Sequence, residues 1–139
     1  MLVYVDGSAL SRYLPGAPGL PEAAAWQEWA DEHRGDLVTT PLSLTELRRA
    51  ADSLGAEARQ RARQIELELP RLRFSDQTLK VAAIATSVLS PFAALHVGTA
   101  VSHPDVGAIA TYDALVARVA AIYNLTVISP GRAAAWWAR

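Results

Sequence analysis

Apolar residues follow two rhythms along this chain. Short unbroken runs rich in Val, Ile and Leu stop at turn residues, and longer stretches repeat apolar positions at helical spacing. "LVYV" at 2–5 ends at "DGS" and predicts a buried strand. "DLVTT" (36–40), "VGAIATY" (106–112) and "LTVISP" (125–130) predict further strands, and "RLRFS" (71–75) a weak one. Between them, helices are predicted over 8–14, 21–34, 41–54, 56–69, 76–89, 92–103 and 113–124. Gly35, Gly55 and Pro70 act as stops, and Ser75 as an N-cap. "PGAPGLP" at 15–21 reads as a loop. Alternating strands and helices predict an α/β domain with a mainly parallel sheet covered by helices on both faces. No repeat or linker interrupts the pattern, so one domain is expected over residues 1–139.

Composition narrows the classes. Hydrophobic residues make up 51% and charged residues 19%, enough apolar material for a packed core. Cysteine is absent, which excludes disulfides, thiolate nucleophiles and zinc–sulfur sites and suits a cytoplasmic setting. No apolar run is long enough to cross a bilayer, so no membrane association is expected. "MLVYVDGSAL" lacks the basic start of a signal peptide. Net charge is −1 but unevenly spread. Residues 1–47 carry seven acids against two arginines, and residues 48–73 carry seven arginines against four acids. The pattern fits an acidic pocket beside a phosphate-binding face, and equally a solvated helix with mixed ion pairs.

Three acids change the picture. Asp6 follows the first strand, Glu46 lies in the helix after the second, and Asp113 follows "AIAT". Parallel sheets bind ligands beyond the carboxyl ends of their strands, and hard cations such as Mg²⁺ take oxygen donors there. Each acid also has a structural reading. Asp6 and Asp113 stand at N-cap positions, and Ser43 with Glu46 matches a capping box. Ser8 and Thr111 are positioned either to orient water or phosphate or to cap helices. His96, on an otherwise apolar helix, reads first as a packed, hydrogen-bonded residue. Trp26 and Trp29 share a helix face that is either core or a partner-binding patch. Trp136 and Trp137 read as a tail that packs back or docks elsewhere. A receiver-type phosphoacceptor site would need paired acids after the first strand and a late lysine. Only Asp6 is there, and the single lysine is Lys80.

Four motifs in order carry a family resemblance over nearly the whole chain: "YVDGSAL", "SLTELRRA", "AALHVGTAV" and "ATYDALVARVAAIYNLTVISPG". Together they resemble the PIN domain, specifically the VapC-type ribonuclease toxin of a VapBC toxin–antitoxin pair. The resemblance implies a three-layer α/β/α sandwich with a PIN-like (Rossmann-like) sheet. It also implies a Mg²⁺- or Mn²⁺-dependent endoribonuclease that cleaves structured RNA such as tRNA or ribosomal RNA. Asp6, Glu46 and Asp113 map to the metal-holding acids, with Ser8 and Thr111 orienting water or phosphate. Arg48 and Arg49, and more loosely Arg59, Arg61 and Arg63, become contacts to the RNA backbone. A VapB-type antitoxin is the implied partner, with the Trp26 and Trp29 face as its groove wall, and a homodimer is expected.

One position departs. The family's third motif begins with Asp three residues before the histidine, and here that residue is Ala93. A natural degenerate member and an engineered Asp-to-Ala replacement both fit, and the intact surrounding motif favours the second. Weak cation binding and very slow RNA cleavage are expected of this chain. The alternative is a catalytically dead module that docks an antitoxin.

Overall fold

The computed structural model describes residues 1–17 and 20–138. Positions 18 and 19 of the expected loop lie outside the described residues. Four parallel strands form one sheet in the order β2-β1-β3-β4. They are β1 (Leu2–Val5), β2 (Leu37–Val38), β3 (Val106–Ala110) and β4 (Thr126–Ile128). Seven α-helices are interleaved with them among the described residues: α1 (Gly7–Leu10), α2 (Leu20–Glu32), α3 (Pro41–Asp52), α4 (Ala56–Glu68), α5 (Asp76–Ala85), α6 (Pro91–Ser102) and α7 (Ala114–Ile122).

Strand alternation divides the interior into two cores. Val3, Val5, Leu37, Ala108 and Ala110 pack with residues of α1 to α4. Tyr4, Val38 and Ile109 face the other way, against α5, α6 and α7. The result is the expected three-layer α/β/α sandwich. One irregularity refines the alternation. The β1–β3 register runs Leu2↔Val106 and then Val3↔Ala108, which leaves Gly107 unmatched. Val106 and Ala108 would otherwise share a face, and this bulge puts them in different cores.

Local chemistry explains the helix starts. Thr40 caps α3 by accepting from Ser43 N at 3.3 Å, with Pro41 in the first turn. Ser75 and Thr78 form a reciprocal capping box on α5. Ser90 caps α6 by accepting from Ala93 N at 3.3 Å. Two expectations are corrected. "RLRFS" is not a strand: Thr39 pairs with Arg71 in an isolated bridge, through Thr39 N to Pro70 O and Leu72 N to Thr39 O. Ser43 with Glu46 is not a capping box, because Thr40 already occupies the cap and Glu46 lies in the second turn of α3.

Trp26 is also corrected as a groove wall. Its ring is fully buried and packs against Tyr13, Trp29 and Tyr112. Trp29 is half-buried and stacks on His33 at 4.3 Å. The C-terminal segment packs back onto the domain. Arg118 Nε donates to Trp137 O at 2.6 Å, and Arg132 lies over the Trp136 ring at 4.3 Å. Arg132 also pairs with Glu22 of α2, which Arg12 reaches at 3.3 Å.

Candidate functional site

The strand order fixes where a ligand belongs. The chain passes from β1 outward to β2, then returns to place β3 on the other side of β1. The order reverses between β1 and β3, and such switch points open a crevice beyond the strands' carboxyl ends. Asp6 leaves β1 at that crevice, and Thr111 to Asp113 leave β3 there.

A cleft of about 240 Å³ opens at this place, lined by Asp6, Ser8, Glu46, Ser90, Phe92, Ala93, His96, Asp113 and Val116. All three candidate acids therefore line one cleft, although over a hundred residues separate the first from the last. Ala93 lies in the same cleft, in the first turn of α6, where its methyl offers no donor.

Asp6 is buried and its carboxylate is heavily bonded. Oδ1 accepts from Ser8 Oγ at 2.6 Å and from Ala9 N at 3.0 Å, so Asp6 also caps α1. Oδ2 accepts from Thr111 Oγ1 at 2.5 Å, which ties the end of β1 to the end of β3. Ser8 Oγ in turn accepts from Tyr112 N at 2.8 Å, and Thr111 Oγ1 from Asp113 N at 3.1 Å. Ser8 and Thr111 thus serve the site by holding Asp6. Burial raises the Asp6 pKa above its ordinary value, and the charge of His96 with the Ser8, Thr111 and Ala9 hydrogen bonds opposes that rise. Asp113 is exposed and caps α7, its Oδ1 accepting from Leu115 N at 2.9 Å and Val116 N at 3.1 Å.

Glu46 is held by a network that the sequence did not announce. His96 Nε2 bonds Glu46 Oε1. His96 Nδ1 lies 2.6 Å from the Tyr4 hydroxyl, which is 3.0 Å from both Thr40 Oγ1 and Ser43 Oγ. In the neutral ring Nε2–H faces the carboxylate and Nδ1 accepts from Tyr4 O–H, whereas in the charged ring both nitrogens donate. Burial works against a charged His96. The Glu46 hydrogen bond and the charges of Asp6, Glu46 and Asp113 outweigh it and raise its pKa. Tyr4 was missed because a tyrosine inside an apolar strand looks like packing. Gly7 was missed too. A Cβ there would lie 2.7 Å from Glu46 Oε2 and 2.8 Å from its Cβ, so glycine is what lets α3 bring Glu46 into the cleft.

The arginines separate. Arg48 pairs with Glu66 and faces a groove with Arg59 and Arg63 between α3 and α4. Arg61 lies over the Tyr13 ring at 5.3 Å, away from the acids. Arg49 borders a groove that Glu46 and Phe92 also line.

The donors suit a hard cation in kind, being carboxylate oxygens, but fall short in number. Among the described residues, no three acidic or histidine side chains converge closely enough to hold a metal ion. Glu46 is engaged by His96, Asp6 by three donors, and position 93 supplies nothing.

The sequence model of the PIN domain family matches residues 3–134, and the chain belongs to that family. PIN domains are typically metal-dependent nucleases. No curated protein and no solved structure matches the chain. No described helix is long and apolar enough to cross a membrane.

Proposed function

From PIN-family membership we propose that this chain is an endoribonuclease toxin of the VapC type, paired with a VapB-type antitoxin and disarmed at position 93. The observation that carries the reading is the meeting of Asp6, Glu46, Asp113 and Ala93 in one cleft at the β1–β3 switch point. A carboxylate at position 93 would complete an oxygen-donor set suited to Mg²⁺ or Mn²⁺.

The reaction is hydrolysis of a phosphodiester in structured RNA. A water oxygen bonds to phosphorus opposite the leaving oxygen, and the phosphorus–oxygen bond to that leaving group breaks. A divalent cation at such a site lowers the pKa of water and offsets charge on the phosphate. With a carboxylate restored at position 93, Asp6, Glu46 and Asp113 would share in holding it. Ser8 and Thr111 keep Asp6 in place, and His96, oriented by Tyr4, does the same for Glu46. The neighbouring Arg49 would contact the RNA backbone.

The test pairs this chain with Ala93→Asp on tRNA and ribosomal RNA, with Mg²⁺ or Mn²⁺ and without antitoxin. Restoring a ligand should raise the cleavage rate by at least about tenfold, since even outer-shell losses cost metal sites roughly 10–100-fold. Equal, negligible cleavage by both proteins sinks the ribonuclease reading. The second reading is a docking module that receives a basic side chain of the antitoxin in the cleft. It is favoured by three acids lining one cleft in which, among the described residues, no three acidic or histidine side chains are placed to hold a metal ion.

A further inference from the structure

Phe92 is 62% exposed although it sits in the first turn of α6, next to Ala93. A large apolar side chain left in water beside a polar cleft is out of place for packing. It also lies at a junction. Phe92 and Glu46 line the acid cleft, and the same two residues line a second, larger groove of about 630 Å³. The second groove is completed by Leu42, Thr45, Arg49 and Ala50 of α3 and by Ser53 at its C-terminal end. It is within the size range of small-ligand sites and combines an apolar floor, one aromatic ring and one guanidinium. Arg49 makes no ion pair among the described residues, in contrast to Arg48 on the same helix, which Glu66 engages.

We propose that this groove is a nucleotide shelf: an unpaired base of the substrate stacks on Phe92 while its phosphate meets Arg49, which leads the strand into the acid cleft. The inference rests on the nuclease reading and assigns one unpaired nucleotide of its substrate to Phe92 and Arg49. Three features favour a nucleotide over other occupants. The groove is continuous with the cleft through Glu46 and Phe92. Arg49, which no ion pair engages among the described residues, gives it a positive charge at the edge of an acid-lined cleft that repels phosphate. A ring with an exposed face accepts any base, and stacking with a cationic neighbour is how single strands are held without sequence readout.

The experiment measures anisotropy of a fluorescein-labelled, short single-stranded RNA on this chain, whose Ala93 keeps turnover low, and repeats it with the same sequence as a duplex. Phe92→Ala should weaken single-strand binding by roughly 5- to 150-fold, the range for replacing one base-stacking aromatic by alanine, and Phe92→Trp should restore it. The salt slope should be unchanged in Phe92→Ala. It should fall by about 0.7 in Arg49→Ala, the value for one phosphate contact on a single strand. Duplex binding should not respond to Phe92→Ala, because paired bases present no free face. Because Phe92 is exposed, these variants should melt with the parent.

If this chain binds single strands and Phe92→Ala binds them equally, the shelf is overturned and the nuclease reading stands. If Phe92→Ala instead abolishes only the complex with the co-expressed antitoxin, the groove is a protein site and the shelf is overturned. If neither this chain nor Ala93→Asp with Mg²⁺ binds RNA in either form, both readings fall.

Discussion

Tyr4→Phe isolates the network that holds Glu46. The substitution keeps the ring, which is completely buried in β1, and removes one oxygen. That oxygen lies 2.6 Å from His96 Nδ1 and 3.0 Å from both Thr40 Oγ1 and Ser43 Oγ. Its loss leaves Nδ1 without its partner, since Nε2 remains committed to Glu46. An unsatisfied buried polar group costs about 1–3 kcal/mol. Ser43 Oγ, 3.4 Å from Nδ1, is placed to take over part of the bond, which sets the expectation near the middle, about 2 kcal/mol. An unfolding entropy of about 2.1 cal/mol/K per residue converts that to a drop in Tm of roughly 7 °C for 139 residues.

The assay is thermal and urea denaturation of both proteins, with the urea slope unchanged because the same surface is exposed on unfolding. Thr45→Val is the control. It removes an exposed hydroxyl bonded to Pro41 O and should stay within about 0.5 kcal/mol of the parent. Adding Ser43→Ala to Tyr4→Phe should cost more than the sum of the two, because each is the other's substitute at Nδ1. A Tm change below about 2 °C with additive behaviour would refute the network as the support of Glu46.

Other consequences are checked by simple measurements. Gly98→Ala should destabilise by about 1–3 kcal/mol in urea titration, because its Cβ would lie 2.6 Å from Thr78 O and force α6 away from α5. Trp26→Ala should cost about 3–5 kcal/mol by the same measurement, as a cavity in the core, so loss of any partner in that variant reports unfolding rather than a groove. Glu22 should make the C-terminal segment acid-sensitive. The Arg132 hydrogen bond, helped by Arg12 and opposed by partial burial, holds its carboxyl below the ordinary value of 4.5. A depressed folded pKa stabilises fully above the unfolded value and is lost as pH falls through the folded one. Tryptophan fluorescence should therefore change below about pH 4.5, and Glu22→Gln should remove that step.

The fold was legible because its signals are local. Pro, Gly and hydroxyl caps delimit helices within a few residues, and apolar runs mark buried parallel strands without reference to distant neighbours. What failed depended on distance. "RLRFS" had the composition of a strand but finds only a single bridge to Thr39. Ser43 and Glu46 had the spacing of a cap, yet Thr40 claims the cap and His96, fifty residues away, claims the glutamate. Asp6 and Asp113 were found because each follows a strand at a turn, where sequence and crevice coincide, and Glu46 because it lies in the helix after the second strand. The supports of those acids were hidden. A buried tyrosine hydroxyl and a glycine that makes room for a carboxylate have no short-range pattern. Trp26 shows the same limit: helical periodicity put it on a face with Trp29, but only packing decides whether that face is covered.

The acids of the cleft are each hydrogen-bonded by the protein itself, and that frames what Ala93 does. Three donors hold Asp6, His96 holds Glu46, and the backbone N–H groups of Leu115 and Val116 hold Asp113. A fourth carboxylate at position 93 would enter the same cleft. The N-terminal turn of α6 favours it by only about 0.3–1 kcal/mol, while the existing carboxylates oppose it. Without divalent cation, Ala93→Asp should therefore melt below the parent. Adding Mg²⁺ should reverse the order, since an ion bound at a hundred times its dissociation constant stabilises by about 2.7 kcal/mol. This chain, one donor short, should show little response to the same titration. Equal Mg²⁺ shifts in both proteins would mean that position 93 is not a ligand, and that the cation senses only the general acidity of the first third of the chain.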